Sequence, residues 1–175
     1  DAINSKSPRE KQHSERVAEI CVKIGESLGF EEYKLKELKA FGLFHDIGKI
    51  AISDSVLNKP GPLNQNEIRE MSRHSEIGYR ILSVASGMSN IAEYVLAHHE
   101  RWDGKGYPKG LKGEEIPLPS RICMIADVYD ALTSKRSYHS AMPLEYAVEQ
   151  LKEHSSTQFD KNLVDIFIEK VQPYL

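Results

Sequence analysis

Cysteine, long hydrophobic runs and an excess of positive charge are scarce or missing in this sequence of 175 residues. Its two cysteines, Cys21 and Cys123, lie in apolar helical patterns without disulfide or metal-binding spacing, which favours buried thiols in a reducing compartment. No apolar stretch approaches the roughly 18 residues that span a bilayer, and no secretory signal is recognisable. The net charge of -3 argues against binding to long nucleic acid, which requires a basic face. These absences predict a cytoplasmic protein without a membrane segment and leave room for a small anionic ligand.

The composition is that of one globular domain, with 40% hydrophobic and 28% charged residues. A chain of this length buries roughly two-thirds of its unfolded surface and needs no disulfide for stability. The polar residues 1–11 are predicted to be a linker tail or a boundary segment, so that the domain itself covers residues 12–175.

Strand-like alternation of useful length is also missing, whereas helical periodicity recurs along the chain. The pattern predicts an all-α bundle of about seven or eight helices. One helix is expected to end at Gly29 and the next to continue to Gly48. Asn64 and Glu67 resemble a capping box that opens another helix, and Ser120 is expected to cap a later one.

Helical periodicity fails between Arg101 and Pro119, where four glycines and three prolines fall within nineteen residues. An irregular stretch of this length inside a compact domain is usually functional or disordered. Its aromatic residues and interleaved lysines favour order. We therefore predict a long, ordered Gly/Pro-rich loop that borders a site.

Most of the histidines fall at positions that the helical patterns place on inward faces. Five of the seven histidines and two aspartates fall at or near such positions. Any one of them is most simply a satisfied core residue or a cap, but seven buried ionisable groups are costly unless they are paired or bind metal. The set consists of His13, His45, Asp46, His74, His98, His99 and Asp127.

Imidazole and carboxylate without thiolate suit divalent ions such as iron, manganese or zinc, and seven ligands exceed what one ion takes. We therefore predict two metal ions that share Asp46 as a bridging ligand. Such a pair, about 3.5 to 4 Å apart, activates water and stabilises both the attacking and the leaving oxygen when a phosphoester is displaced. The predicted reaction is therefore hydrolysis of a phosphodiester or phosphomonoester. Lys49 lies one helical turn beyond His45 and could meet the developing phosphoryl charge. The alternative for Lys49 is a solvated lysine after a helix end.

Three motifs of the sequence resemble the HD-GYP domain, a branch of the HD phosphohydrolases. They are His45-Asp46-Ile47-Gly48-Lys49, the segment from His98-His99 to Gly106-Tyr107-Pro108, and the segment from Arg121 to Thr133. The resemblance covers nearly the whole chain, from His13 to about Val164. It implies the HD-domain helical fold and a cytosolic bacterial phosphodiesterase that opens cyclic di-GMP to linear pGpG and in some members cuts on to GMP. It also implies a bi- or trinuclear centre of iron or manganese, for which zinc or nickel could substitute.

The resemblance also assigns roles by position. The metal ligands of the family fall on the seven histidines and aspartates named above, and Lys49 and Arg136 fall where members contact substrate phosphates. The loop Gly106-Tyr107-Pro108 is expected to border the substrate and to offer a surface to GGDEF-type cyclase partners; a rigid turn is the alternative. An upstream sensory or receiver domain in a longer chain is expected as well.

Two positions depart from the family pattern. Trinuclear members carry a glutamate four residues before the first histidine, where this chain has Arg9. Glu10 is one position out of phase and is expected to face about 100° away, so we expect two metals. His139 stands where a lysine is common, and a neutral imidazole there would weaken a phosphate contact.

The leading hypothesis is a two-metal cyclic di-GMP phosphodiesterase that works by attack of a metal-bridging hydroxide, with Asp46 and Lys49 as catalytic residues. A second hypothesis is a binding module that senses a cyclic dinucleotide or docks a cyclase. A third is an HD hydrolase of another nucleotide phosphoester.

Overall fold

The computed structural model describes residues 8–134 and 141–175, which form α-helices connected by short helical turns and irregular segments. The α-helices are α1 (Pro8–Ser27), α2 (Glu32–Phe44), α3 (Asp54–Leu57), α4 (Gln65–Ser72), α5 (His74–Ser83), α6 (Ser89–Ala97), α7 (Leu118–Thr133), α8 (Leu144–Glu153) and α9 (Lys161–Ile166). There are 3-10 helices at Ile47–Ala51, Gly113–Glu115 and Gln172–Tyr174 and a π-helix at Phe167–Val171.

The all-α prediction is confirmed, since the described part of the chain contains no strand and, apart from the four-residue α3, eight α-helices. An isolated bridge joins Ser155 and Phe159. Within the described ranges, no helix combines the length and the apolar character that crossing a membrane requires.

Helix α1 lies in the middle of the bundle, where it packs against α2, α7 and the π-helix. The apolar stripe predicted for it is fully buried at Val17, Cys21 and Ile24. Cys21 and Cys123 are both buried and free. Because His13 lies on the same face as this stripe, burial of the stripe carries that histidine into the interior.

The end of α2 differs from the prediction. The helix ends at Phe44, and Gly48 lies inside the following 3-10 helix instead of ending α2. A Cβ at Gly48 would lie 1.8 Å from the carbonyl oxygen of His74 and 2.7 Å from the nitrogen of Gly78. Gly48 is therefore needed for the close approach of the 3-10 helix to α5. This approach brings His45 and Asp46, which directly precede the 3-10 helix, near His74 at the start of α5.

Two cap predictions have opposite outcomes. The capping box of Asn64 and Glu67 is present at the start of α4. Ser120 does not cap α7, whose N-cap is Pro117; its hydroxyl instead donates to the carbonyl oxygen of Tyr94 at 2.9 Å. Because Tyr94 lies on α6, this bond links the two helices that flank the irregular segment.

The segment between α6 and α7, residues 98–117, contains one short 3-10 helix and otherwise turns and irregular backbone. The Tyr107–Pro108 peptide bond is cis. The backbone nitrogens of Trp102 and Asp103 donate to the carbonyl oxygens of Gln158 and Thr157, at 3.2 and 2.8 Å. The segment is thus attached to the connection between α8 and α9.

Candidate metal centre

The structure brings all seven predicted metal ligands together from separate elements. Within each of two groups, one donor atom from every residue lies within 4.8 Å of the others. The first group consists of His13, His45 and Asp127, and the second of Asp46, His74, His98 and His99. Both groups could hold a metal ion.

Asp46 belongs to the second group and also approaches the first, with one carboxylate oxygen on the side of each. Its Oδ2 lies 3.3 Å from Nε2 of His45 and 3.9 Å from Nε2 of His13. Its Oδ1 lies 3.4 Å from Nε2 of His74 and 4.0 Å from Nε2 of His98. Donor atoms each about 2.1 Å from a common ion are about 3.0 to 3.4 Å apart at octahedral or tetrahedral angles. The distances to His45 and His74 match this range, whereas those to His13 and His98 are longer. The two oxygens of Asp46 thus lie beside different histidines, as a carboxylate shared by two ions would require.

Three of the histidines are held in one tautomer by bonds to the backbone three residues earlier. The Nδ1 atoms of His45, His74 and His98 contact the carbonyl oxygens of Gly42 at 2.7 Å, Met71 at 2.6 Å and Val95 at 2.5 Å. A carbonyl oxygen can only accept, so each Nδ1 carries the proton. The Nε2 atoms of these rings are thereby left facing the centre.

The Nε2 atoms of three histidines in the second group lie close to one another. Nε2 of His74 lies 3.2 Å from Nε2 of His98 and 3.1 Å from that of His99. Burial and neighbouring imidazoles lower the pKa of His98, burial lowers that of His74, and burial together with His74 lowers the pKa of His99 to about 3. Nε2 of His45 is buried without a hydrogen-bond partner. Neutral imidazoles with converging lone pairs fit a bound divalent ion.

Asp130 supports the first group and was not singled out from the sequence. Its carboxylate accepts a hydrogen bond from Nδ1 of His13 at 2.7 Å and two bonds from the guanidinium of Arg16. Burial lowers the pKa of His13, but Asp127 and Asp130 outweigh this effect and raise it to about 10. The carboxylates of Asp127 and Asp130 thus stabilise a positive charge at His13. The available signal was spacing, because Asp130 follows Asp127 by three residues and shares its helix face.

Lys49 lies beside the centre as predicted, but Glu10 does not face away from it. Nζ of Lys49 is 2.6 Å from Oδ2 of Asp46 and 3.5 Å from Oε2 of Glu10. Burial lowers the pKa of Lys49, whereas Asp46 and Glu10 outweigh this effect and raise it. The expectation for Glu10 was wrong because it compared the direction of Glu10 with that of position 9 and not with that of His13. Position 10 is three residues before His13, and residues three apart share a helix face.

The predicted loop residues Gly106, Tyr107 and Pro108 lie next to the second group. The Tyr107 ring stacks on the His99 ring, with centroids 5.0 Å apart and an interplanar angle of 27°. Burial raises the pKa of Tyr107 to about 12, so its phenol stays neutral. Arg136, predicted to contact substrate, and His139 lie outside the described residues.

Comparisons with known proteins give a family match and named relatives. Residues 1–163 match the model of a family described as HD domain. The chain is 39% identical, over 99% of its length, to the 3'3'-cGAMP-specific phosphodiesterase 1 of Vibrio cholerae, and 41% identical, over 90% of its length, to a cyclic di-GMP phosphodiesterase of Thermotoga maritima. It spans only 41% and 43% of those two relatives.

A solved structure shares the fold. The crystal structure of a cyclic GMP-AMP specific phosphodiesterase from V. cholerae superposes with a TM-score of 0.73 at 23% identity, over 93% of this chain and 44% of that one. At this level of identity the likeness supports the helical architecture alone.

Proposed function

We propose, from the premise that this chain belongs to the HD domain family, that it is a metal-dependent phosphodiesterase acting on a cyclic dinucleotide. The position of Asp46 supports this most directly, because its two carboxylate oxygens lie beside two separate groups of histidines. Buried Nε2 lone pairs that converge on the same space are otherwise unfavourable. The site therefore has the donor set and the division that a two-ion centre requires.

The proposed ligands of one ion are His13, His45 and Asp127, and those of the other are His74, His98 and His99, with Asp46 shared. Two divalent ions bound there would activate water and neutralise phosphoryl charge. Iron or manganese is proposed first, because imidazole and carboxylate suit both; zinc and nickel are substitutes.

The chain itself supplies charge and orientation around the reaction. Lys49 stays cationic beside Asp46 and can stabilise a phosphoryl oxygen. Asp130 and Arg16 fix the orientation of His13, and the backbone carbonyl of Gly42 fixes that of His45. We also propose that Gly106, Tyr107, Pro108 and Arg136 contribute to substrate binding, as the family resemblance implies.

Cyclic di-GMP and 3'3'-cGAMP are the two proposed substrates, because relatives of nearly equal identity carry those two names. Hydrolysis of one phosphodiester would open the ring of either to a linear dinucleotide, pGpG in the case of cyclic di-GMP, and a second cleavage would give mononucleotides. The two substrates differ in one base only, so selectivity depends on contacts with that base and not on the metal centre.

The test combines metal analysis and product analysis on one sample. Protein purified without oxygen, or reconstituted with Mn²⁺, should contain two ions per chain and should release linear dinucleotide from cyclic di-GMP, from 3'3'-cGAMP or from both. Comparing kcat/KM for the two, with cyclic di-AMP as a third, ranks the substrates. Loaded protein that releases no product from any of them would refute the proposed function.

A cytoplasmic location and docking of cyclase domains remain part of the proposal. The free, buried thiols of Cys21 and Cys123 support a reducing compartment. The exposed Lys105 and Lys109 flank Tyr107 and would give a cyclase partner a charged surface.

A further inference from the structure

Glu100 directly follows the predicted ligands His98 and His99, yet its carboxylate is buried, with only 3% of the residue exposed. Its Oε1 accepts hydrogen bonds from the backbone nitrogens of Lys109 at 2.7 Å and Gly110 at 3.1 Å. Its Oε2 accepts one from Leu111 at 3.0 Å. Three charge-assisted bonds offset the desolvation of the carboxylate, so the backbone of residues 109–111 is wrapped around this side chain.

Residues 106 and 107 of the same loop lie directly on the backbone of residues 99–101. A Cβ at Gly106 would lie 2.4 Å from the nitrogen of Arg101 and 2.5 Å from the carbonyl oxygen of His99. The backbone nitrogen of Tyr107 donates to that carbonyl oxygen at 3.3 Å. The loop thus leaves His99, turns and returns to it.

His99 is oriented differently from the other four histidines of the centre. Nδ1 of His45, His74 and His98 is bonded to a backbone carbonyl, and Nδ1 of His13 to Asp130. Within residues 8–134 and 141–175, His99 makes no Nδ1 hydrogen bond, and the stacked ring of Tyr107 lies against it instead.

We propose that Glu100 is a positioning residue for one half of the metal centre. By fixing residues 109–111, Glu100 holds Tyr107 against His99. The stacked ring orients His99, as an Nδ1 hydrogen bond orients each of the other histidines. The inference rests on the proposed function, since it assigns the loop to the ion held by His74, His98 and His99. The ion held by His13, His45 and Asp127 has its own supports in Asp130 and the Gly42 carbonyl.

The chemistry requires a carboxylate at position 100. Oε1 accepts two N–H groups and Oε2 a third. An amide has one accepting oxygen, and its NH₂ would face a backbone N–H that it cannot satisfy. Glu100→Gln keeps the size of the side chain and removes this match.

The experiment is a Mn²⁺ titration of Glu100→Gln followed by calorimetry and by metal content after desalting. We expect one ion to bind as in the wild type and the other to bind about 10- to 100-fold more weakly, the usual cost of losing a group that orients a metal ligand. The control is Glu114→Gln, the same change at an exposed position of the same segment, which should bind both ions normally. Trp102, the sole tryptophan, lies in this segment and reports its order by fluorescence.

A second pair of variants keeps the inference testable if Glu100→Gln does not fold. Tyr107→Leu removes the stacked ring and should selectively weaken the same ion, whereas Tyr107→Phe retains the ring and should not. Equal weakening of both ions, or normal binding of both, in Glu100→Gln and in Tyr107→Leu would overturn the positioning role while leaving the proposed function intact. Wild-type protein that binds no divalent ion would refute both.

Discussion

At the residue scale, the hydrogen bonds that a side chain of the centre already makes decide which of its atoms remain free to bind an ion. The histidines held through Nδ1 present Nε2 inward, and Asp46 divides its two oxygens between two groups. Helical periodicity was enough to point to the seven residues that the structure brings together, because inward positions recur every three or four residues. It did not show which side chains Asp130 and Glu10 contact, since both contacts join side chains on different helices.

Asp130 gives a prediction at this scale. Asp130→Asn should keep the fold and weaken the ion at His13 by about 10- to 100-fold, because the amide no longer provides the charge that holds the His13 ring and pairs with Arg16. Metal titration measures the effect. Asp165→Asn, which removes an exposed carboxylate paired with Lys161, is the matched control. Normal affinity for both ions in Asp130→Asn would show that His13 does not need this support.

At the scale of the elements, the 3-10 helix Ile47–Ala51 lies between two parts of the centre. It follows His45 and Asp46 directly and packs against α5, whose first residue is His74. The sequence marked Gly48 as special but gave the wrong reason. A helix stop and a close approach both select glycine, and only the position of α5 distinguishes them.

Gly48→Ala tests this close approach. The added Cβ would lie 1.8 Å from the carbonyl oxygen of His74, which is backbone and cannot rotate away. We expect a loss of about 1 to 3 kcal/mol in the free energy of unfolding, measured by urea denaturation, together with weaker metal binding. Gly29→Ala is the contrasting variant, since Gly29 has open space around its Cβ position but a φ of 76°. It should lose stability without a specific loss of metal affinity.

At the scale of the whole molecule, the bundle encloses a concentration of ionisable groups that metal binding would stabilise. His45, His74 and His98 are each at most 1% exposed, and Asp46 is 8% exposed. A ligand that binds the folded state alone stabilises it in proportion to the logarithm of its concentration. Folding and metal binding are therefore expected to be coupled.

Metal removal tests the coupling. At a free ion concentration 100-fold above its Kd, one bound ion adds about 2.7 kcal/mol, which corresponds to about 5 to 11 °C in Tm for a domain of this size. Treatment with a chelator should lower the Tm by at least that amount, and Mn²⁺ should restore it. Asp46→Ala lacks the shared carboxylate, and its Tm should respond much less. An equal response in the two proteins would contradict the bridging role.

The sequence by itself determined the helical class, the inward faces and the types of side chain that meet in the centre, because these depend on spacing within single helices and on the chemistry of imidazole and carboxylate. The motifs of the chain also indicated its family before any distance was known. Only the tertiary structure decided how the seven predicted ligands divide into two groups, which oxygen of Asp46 lies beside each group, and which side chains support them. Those features depend on distances between helices that are remote in sequence. Packing of the whole core sets such distances, and no local pattern records them.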